Sequence, residues 1–144
     1  MQYICDASPN TWFRLETVAE AQAESRLMEH AVERYFRDAH EKASKSYVPP
    51  PGGRYIEQNI GLKDFIQRTT PMFLTLRNNE GTPLVTAMLP PGGKVTPSFR
   101  PIVVGKANSD PYPAYGTAIK ALSARLGLAL ERERCFPYQG QGRG

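Results

Sequence analysis

The stretch TVAEAQAESRLMEHAVERYFRDAHEKASK, residues 17–45, followed by PPPGG at residues 49–53, decides how this chain is read. Thr17 and Glu20 have capping-box spacing: the hydroxyl accepts from an N–H three residues on, and the carboxylate reaches back to the threonine N–H. The charged, periodic run that follows holds neither proline nor glycine. It therefore predicts one long helix over residues 17–45, which the prolines end because they lack an N–H and crowd the preceding turn. At about 100° per residue, Ala21, Met28, Val32, Tyr35 and Ala39 fall in one sector with Phe36 on its flank, the side expected to meet a core. Glu24 and Ser25 lie near the edge of that stripe, while Arg26, His30, Arg37 and Glu41 lie opposite it. Pairs of opposite charge four residues apart, Glu33–Arg37, Arg34–Asp38, Asp38–Lys42 and Glu41–Lys45, keep the outer face solvated at about 0.2–0.5 kcal/mol each.

Around this helix the chain reads as strands. Residues 1–5 and 11–16 form two short ones, with turn chemistry between them at Asp6, Ser8, Pro9 and Asn10. Residues 54–62 alternate without a clear period and read as a short edge strand or an irregular segment, leading to a short helix at 63–68. MFLTLR at 72–77 and LVTAML at 84–89 are strands joined by a hairpin loop. A further strand spans residues 99–104, with Pro101 at an edge or at its start because proline cannot donate to a ladder. A second helix lies near residues 113–126, stopped by Gly127; Pro113 suits its first position, Tyr112 is a poor cap, and Asp110 is the other candidate cap. Residues 128–133 read as a last strand.

This order predicts an α+β fold: a mostly antiparallel sheet of about five to six strands, with the long N-terminal helix and the C-terminal helix packed on one face. A length of 144 residues suits a single domain, taken as residues 1–138 with a flexible tail at 139–144. The net charge of +4 is unevenly spread. Residues 1–48 carry six basic against eight acidic side chains, a net of −2; the rest carry twelve against six, a net of +6. No apolar run approaches the roughly 20 residues of a membrane span and no leader pattern opens the chain, so a soluble, cytoplasmic protein is expected. Its two cysteines, Cys5 and Cys135, are expected to be free, buried thiols.

Chemistry has few places to reside. His30 and His40 are expected on the surface of the helix, roughly 15 Å apart along its axis, too far to share a metal. No metal-ligand spacing is present, and no cofactor is implied. Glu24, beside the core stripe, is expected to reach solvent or pair with an arginine. An anion-binding candidate is the loop of Gly105, Lys106, Asn108, Ser109 and Asp110, where a strand, a lysine and a helix start adjoin. Arg54, Arg68, Arg77 and Arg100 form a basic-surface candidate for phosphate or nucleic acid. The balance leans away from an enzyme. It favours a non-enzymatic protein-interaction or self-associating module, symmetric dimers being the commonest oligomers; the alternative is a nucleic-acid or phosphate-anion binding protein using the basic second half.

Overall fold

The strongest strand signals pair first. In the computed structural model, which describes residues 1–49, 51–52, 55–94, 96 and 99–138, β3 (Met72–Arg77) and β4 (Pro83–Leu89) form an antiparallel hairpin with Leu74 opposite Ala87 and Thr75 opposite Thr86. β1 (Gln2–Ala7) and β2 (Asn10–Arg14) form a second hairpin, and β2 joins it to β3 with Trp12 opposite Leu76. β5 (Ile102–Val104) adds to the far side of β4. Among the described residues the result is an α+β fold, an antiparallel five-stranded sheet in the order β1-β2-β3-β4-β5, with four α-helices. Pro101 stands just before β5, an edge strand, where its missing N–H costs no ladder bond.

The helices differ from expectation in number and placement. α1 (Val18–Met28) begins with the capping box: Thr17 Oγ1 accepts from Glu20 N at 3.1 Å, and Glu20 Oε1 accepts from Thr17 N at 3.2 Å. It does not run to residue 45. Glu29 turns left-handed (φ 54°, ψ 50°), and α2 (Val32–Ser46) starts after His30 and Ala31. Ser25 ties the break together. Its carbonyl accepts from the N–H groups of Glu29 and His30, and its hydroxyl accepts from Glu33 N at 2.7 Å, supplying α2 with a partner for one of its open N–H groups. The break resets the helical phase. Phe36 therefore enters the core and Tyr35, expected in the stripe, is 54% exposed.

α3 (Tyr55–Thr69) occupies the region expected to be an edge strand or irregular segment followed by a short helix. Gly61 lies inside it because Tyr47 packs there: a Cβ at residue 61 would strike the Tyr47 hydroxyl, and the Tyr47 ring sits 5.3 Å from that of Phe65. α4 (Tyr112–Leu126) ends at left-handed Gly127 as expected; Pro111 takes the N-cap position, and Tyr112 N donates to Asp110 Oδ1 one residue earlier, at 3.0 Å. The expected last strand at residues 128–133 is absent. Leu128 and Leu130 are buried in an extended segment, which passes into a 3₁₀ turn at Arg132–Arg134. Its continuation touches β5 through one parallel bridge, Ile102 to Phe136, with Phe136 N donating to Pro101 O at 2.8 Å.

The helices cover both faces of the sheet rather than one. On one face Trp12, Leu74, Leu76, Val85, Ala87 and Val103 pack with Ile119 and Leu122 of α4 and with Leu128, Leu130 and Cys135. Trp12 Nε1 donates to the Ala118 carbonyl at 2.9 Å, which satisfies the indole where it is fully buried. On the other face Leu15 and Phe73 pack with Ala21, Val32 and Phe36 of α1 and α2. Each such buried aliphatic or aromatic side chain contributes about 1.5–3 kcal/mol. No helix among the described residues is long and apolar enough to cross a membrane. The proposed tail at residues 139–144 lies outside the described residues.

Candidate functional site

The turn at Glu29 points His30 inward, against its expected exposure. Its Nε2 lies 2.9 Å from Thr86 Oγ1, in the middle of β4. The Thr86 hydroxyl donates to Glu24 Oε2 at 2.6 Å, so its oxygen is left to accept the His30 Nε2–H. His30 Nδ1 in turn accepts from Val32 N, 3.4 Å away, at the start of α2. Glu24 is fully buried, and its Oε1 accepts from Arg77 Nη2 at 2.6 Å. Arg77 also donates to Thr75 Oγ1 at 3.2 Å and to the Gly81 carbonyl at 3.1 Å. Five side chains from α1, β3, β4 and the helix break thus form one hydrogen-bonded chain beneath α1. Among the described residues no buried side-chain nitrogen or oxygen lacks a partner. Of the two outcomes expected for Glu24, solvent or an arginine, the structure shows the arginine and no exposure; which arginine, and the threonine link to His30, lay beyond the sequence reading.

Beside this chain opens a cleft of about 380 Å³. His30 and Thr86 form its polar floor, Val32, Met88, Ile102 and Val104 its apolar walls, and Ala31, Tyr35, Asn108, Phe136 and Pro137 complete the lining. Tyr35 and Phe136 stand at its rim, 54% and 55% exposed. The cleft exists because α1 and α2 cover only part of their face of the sheet, leaving the β4–β5 side open. Burial pushes His30 below the ordinary histidine range, the pull of Glu24 opposing it, so the ring is neutral at pH 7. Both its nitrogens are engaged, and neither offers a lone pair to a bound molecule. The geometry can bind and orient; it supplies no free base.

Cys5 and Cys135 are both free and buried in the same core cluster, and burial raises both thiols, holding them protonated. Among the described residues no group of three His, Cys, Asp or Glu side chains is placed to hold a metal ion.

The loop of Gly105, Lys106, Asn108, Ser109 and Asp110 closes on itself. Gly105 N donates to Ser109 O at 2.7 Å, and Ser109 N to Lys106 O at 3.1 Å, with Ala107 and Asn108 both at positive φ. At the start of α4 Asp110 already supplies an anion: one oxygen accepts from Tyr112 N, the other from Arg132 Nε at 2.8 Å. Asn108 reaches the cleft beside His30; the rest of the loop does not line it. The three basic candidates among the described residues are not brought together. Arg77 is committed to Glu24, Arg68 pairs with Asp64 on exposed α3 at 2.9 Å, Arg100 is exposed ahead of β5, and Arg54 lies outside the described residues. Arg68 and Arg77 flank opposite ends of β3. No protein-family model, curated protein or solved structure matches this chain.

Proposed function

We propose that the protein is a non-enzymatic interaction module that takes an apolar side chain of a partner polypeptide into the cleft between α2, β4 and β5. One observation carries this reading: two large aromatic side chains, Tyr35 and Phe136, stand more than half exposed at the rim of an apolar-walled cleft. Exposed aromatics around a desolvated pocket are the composition of protein-interaction anchor sites, whereas scattered single apolar residues carry no such meaning. An open rim also suits a side chain held by a larger body better than a small molecule, which a pocket generally encloses over most of its surface. The walls are uncharged, so the fitting anchor is an aliphatic or aromatic residue. The committed state of His30 supports binding over catalysis. The same reading places the protein in the cytoplasm, where the two thiols stay reduced.

The test is a random peptide library displayed on phage and panned against the folded chain. Enriched peptides are expected to share one large apolar residue and to move the His30 ring and Met88 methyl resonances. Their affinity should fall at least tenfold in both Tyr35→Ser and Phe136→Ser, two substitutions at exposed positions that leave the fold intact. Equilibrium sedimentation of the wild type separates a second copy of this chain from another partner: dimers abolished by Phe136→Ser identify the partner as the chain itself. Panning without enrichment, or peptides indifferent to both substitutions, would overturn the reading.

A further inference from the structure

A second, smaller cleft of about 210 Å³ lies where the end of β2 and residues 15–16 meet α2 and α3. α3 presents Asn59, Lys63 and Gln67 to it in a row at four-residue spacing, with Leu62 and Ile66 beside them. Leu15 closes the apolar side, and Arg14 and His40 face the same space. Arg14 is half-buried. Its Nη2 donates to the Gln67 carbonyl at 2.9 Å, but among the described residues its Nε and Nη1 have no acceptor and no carboxylate lies within ion-pair distance of it. Lys63 is likewise without an ion pair among the described residues. The one carboxylate lining the cleft, Glu16, lies 3.5 Å from the Met1 ammonium and so already has a positive partner.

Burial disfavours the charged guanidinium of Arg14, with Glu16 opposing. A poorly hydrated guanidinium with an open edge is a receptor for an oxyanion, because its flat fork of donors matches two oxygens at once. His40 stacks on Phe36 with ring centroids 3.8 Å apart, and burial, then the Arg14 charge, hold it at about 4, so at pH 7 it offers a single N–H and no charge. The volume lies below the roughly 300–1,000 Å³ of sites for drug-sized ligands, which excludes a nucleotide. The apolar wall excludes a bare, fully hydrated ion as the best fit.

We propose that this cleft binds a small organic monocarboxylate, its two oxygens on the open edge of Arg14, Lys63 adding a second positive charge, and a short alkyl chain against Leu15, Leu62 and Ile66. The site is separate from the Tyr35–Phe136 cleft, so either proposal can fail without the other.

Hexanoate, its neutral analogue hexanamide, and inorganic phosphate are titrated calorimetrically and by proton NMR at low salt. Because the chain has two histidines, His40 reports on the site and His30 is an internal control. Hexanoate is expected to bind and to move the His40 ring resonances while leaving His30 in place. Hexanamide and phosphate should each bind at least tenfold more weakly. Arg14→Gln and Lys63→Glu should each reduce hexanoate affinity at least tenfold; Lys63 is exposed, so its variant decides the matter if Arg14→Gln does not fold. Equal binding of hexanoate and hexanamide, phosphate as tight as hexanoate, or an unmoved His40 would each overturn the proposal.

Discussion

Arg77 and Arg14 end adjacent antiparallel strands, at opposite ends of the β2–β3 pairing, and their surroundings differ. Arg77, with a side chain 12% exposed, meets a fully buried carboxylate and places its remaining donors on Thr75 and Gly81. Arg14 meets a single helix carbonyl. The histidines repeat the contrast: His30 has partners at both nitrogens, whereas His40 has a ring stacked on Phe36 and, among the described residues, no hydrogen bond to either nitrogen. A buried polar group whose partners are all internal fixes one element against another. One with donors left over marks where something from outside can fit. Charge and residue type alone, shared by both pairs, do not separate these roles.

The comparison breaks most visibly at Glu24. Glu24→Ala leaves Arg77 charged, buried and unpaired, and should cost about 3–5 kcal/mol of unfolding free energy in urea denaturation. Replacing both partners together, Glu24→Leu with Arg77→Met, should recover most of that loss, since a buried pair and a well-packed apolar pair are often of similar stability. A single substitution costing under about 1 kcal/mol would mean that the pair is not desolvated, and that Arg77 is as available as Arg14.

A smaller effect separates the histidines by pH. His40 titrates at about 4 in the fold and near 6.5 when unfolded, so between those values the unfolded chain binds the extra proton. Its contribution is therefore intact above about pH 6.5 and is lost as the pH falls toward 4. His30 is lowered too, for the same reason of burial, but with Glu24 pulling the other way. Urea midpoints measured from pH 7 to pH 4 should flatten more in His40→Gln than in His30→Gln. The carboxylates common to both variants cancel in that difference. Equal slopes would show that the two rings are held alike.

What was legible in the sequence was whatever a local pattern carries. The capping box at Thr17 and Glu20, the hairpin at residues 72–89 and the glycine stop at residue 127 all depend on neighbours in the chain. The second covered face was not read, although Met72-Phe73-Leu74 is an unbroken apolar run and β3 is buried at five successive positions, the mark of a strand covered on both faces. Residues 54–62 misled because their alternation shows no helical period, and the packing of Tyr47 against Gly61 inside α3 comes from another segment. Residues 128–133 misled because Leu128 and Leu130 alternate like a strand, although they only fill the core beneath α4. Neither cleft was legible. The Glu24–Thr86 contact spans 62 positions and that of Arg14 with Gln67 spans 53, and no local period encodes either.

The helix break at Glu29 left no signal because the residue there is the wrong one for its conformation. Gly127 ends α4 at φ 67° without a Cβ to strain; Glu29 ends α1 at φ 54° with one. The left-handed region costs a residue with a Cβ about 1–2 kcal/mol, and glycine returns part of that through its freer unfolded chain. Glu29→Gly should therefore stabilise the protein by about 0.5–1 kcal/mol, seen as a melting temperature higher by a few degrees. Gly127→Ala should lower it by a comparable amount. The sign at residue 29 bears on everything above, since a continuous helix through that point would carry His30 to the outer face, away from Thr86. A destabilising Glu29→Gly would mean that the chain does not turn there, and the contrast between a fully partnered His30 and an open His40 would lose its structural basis.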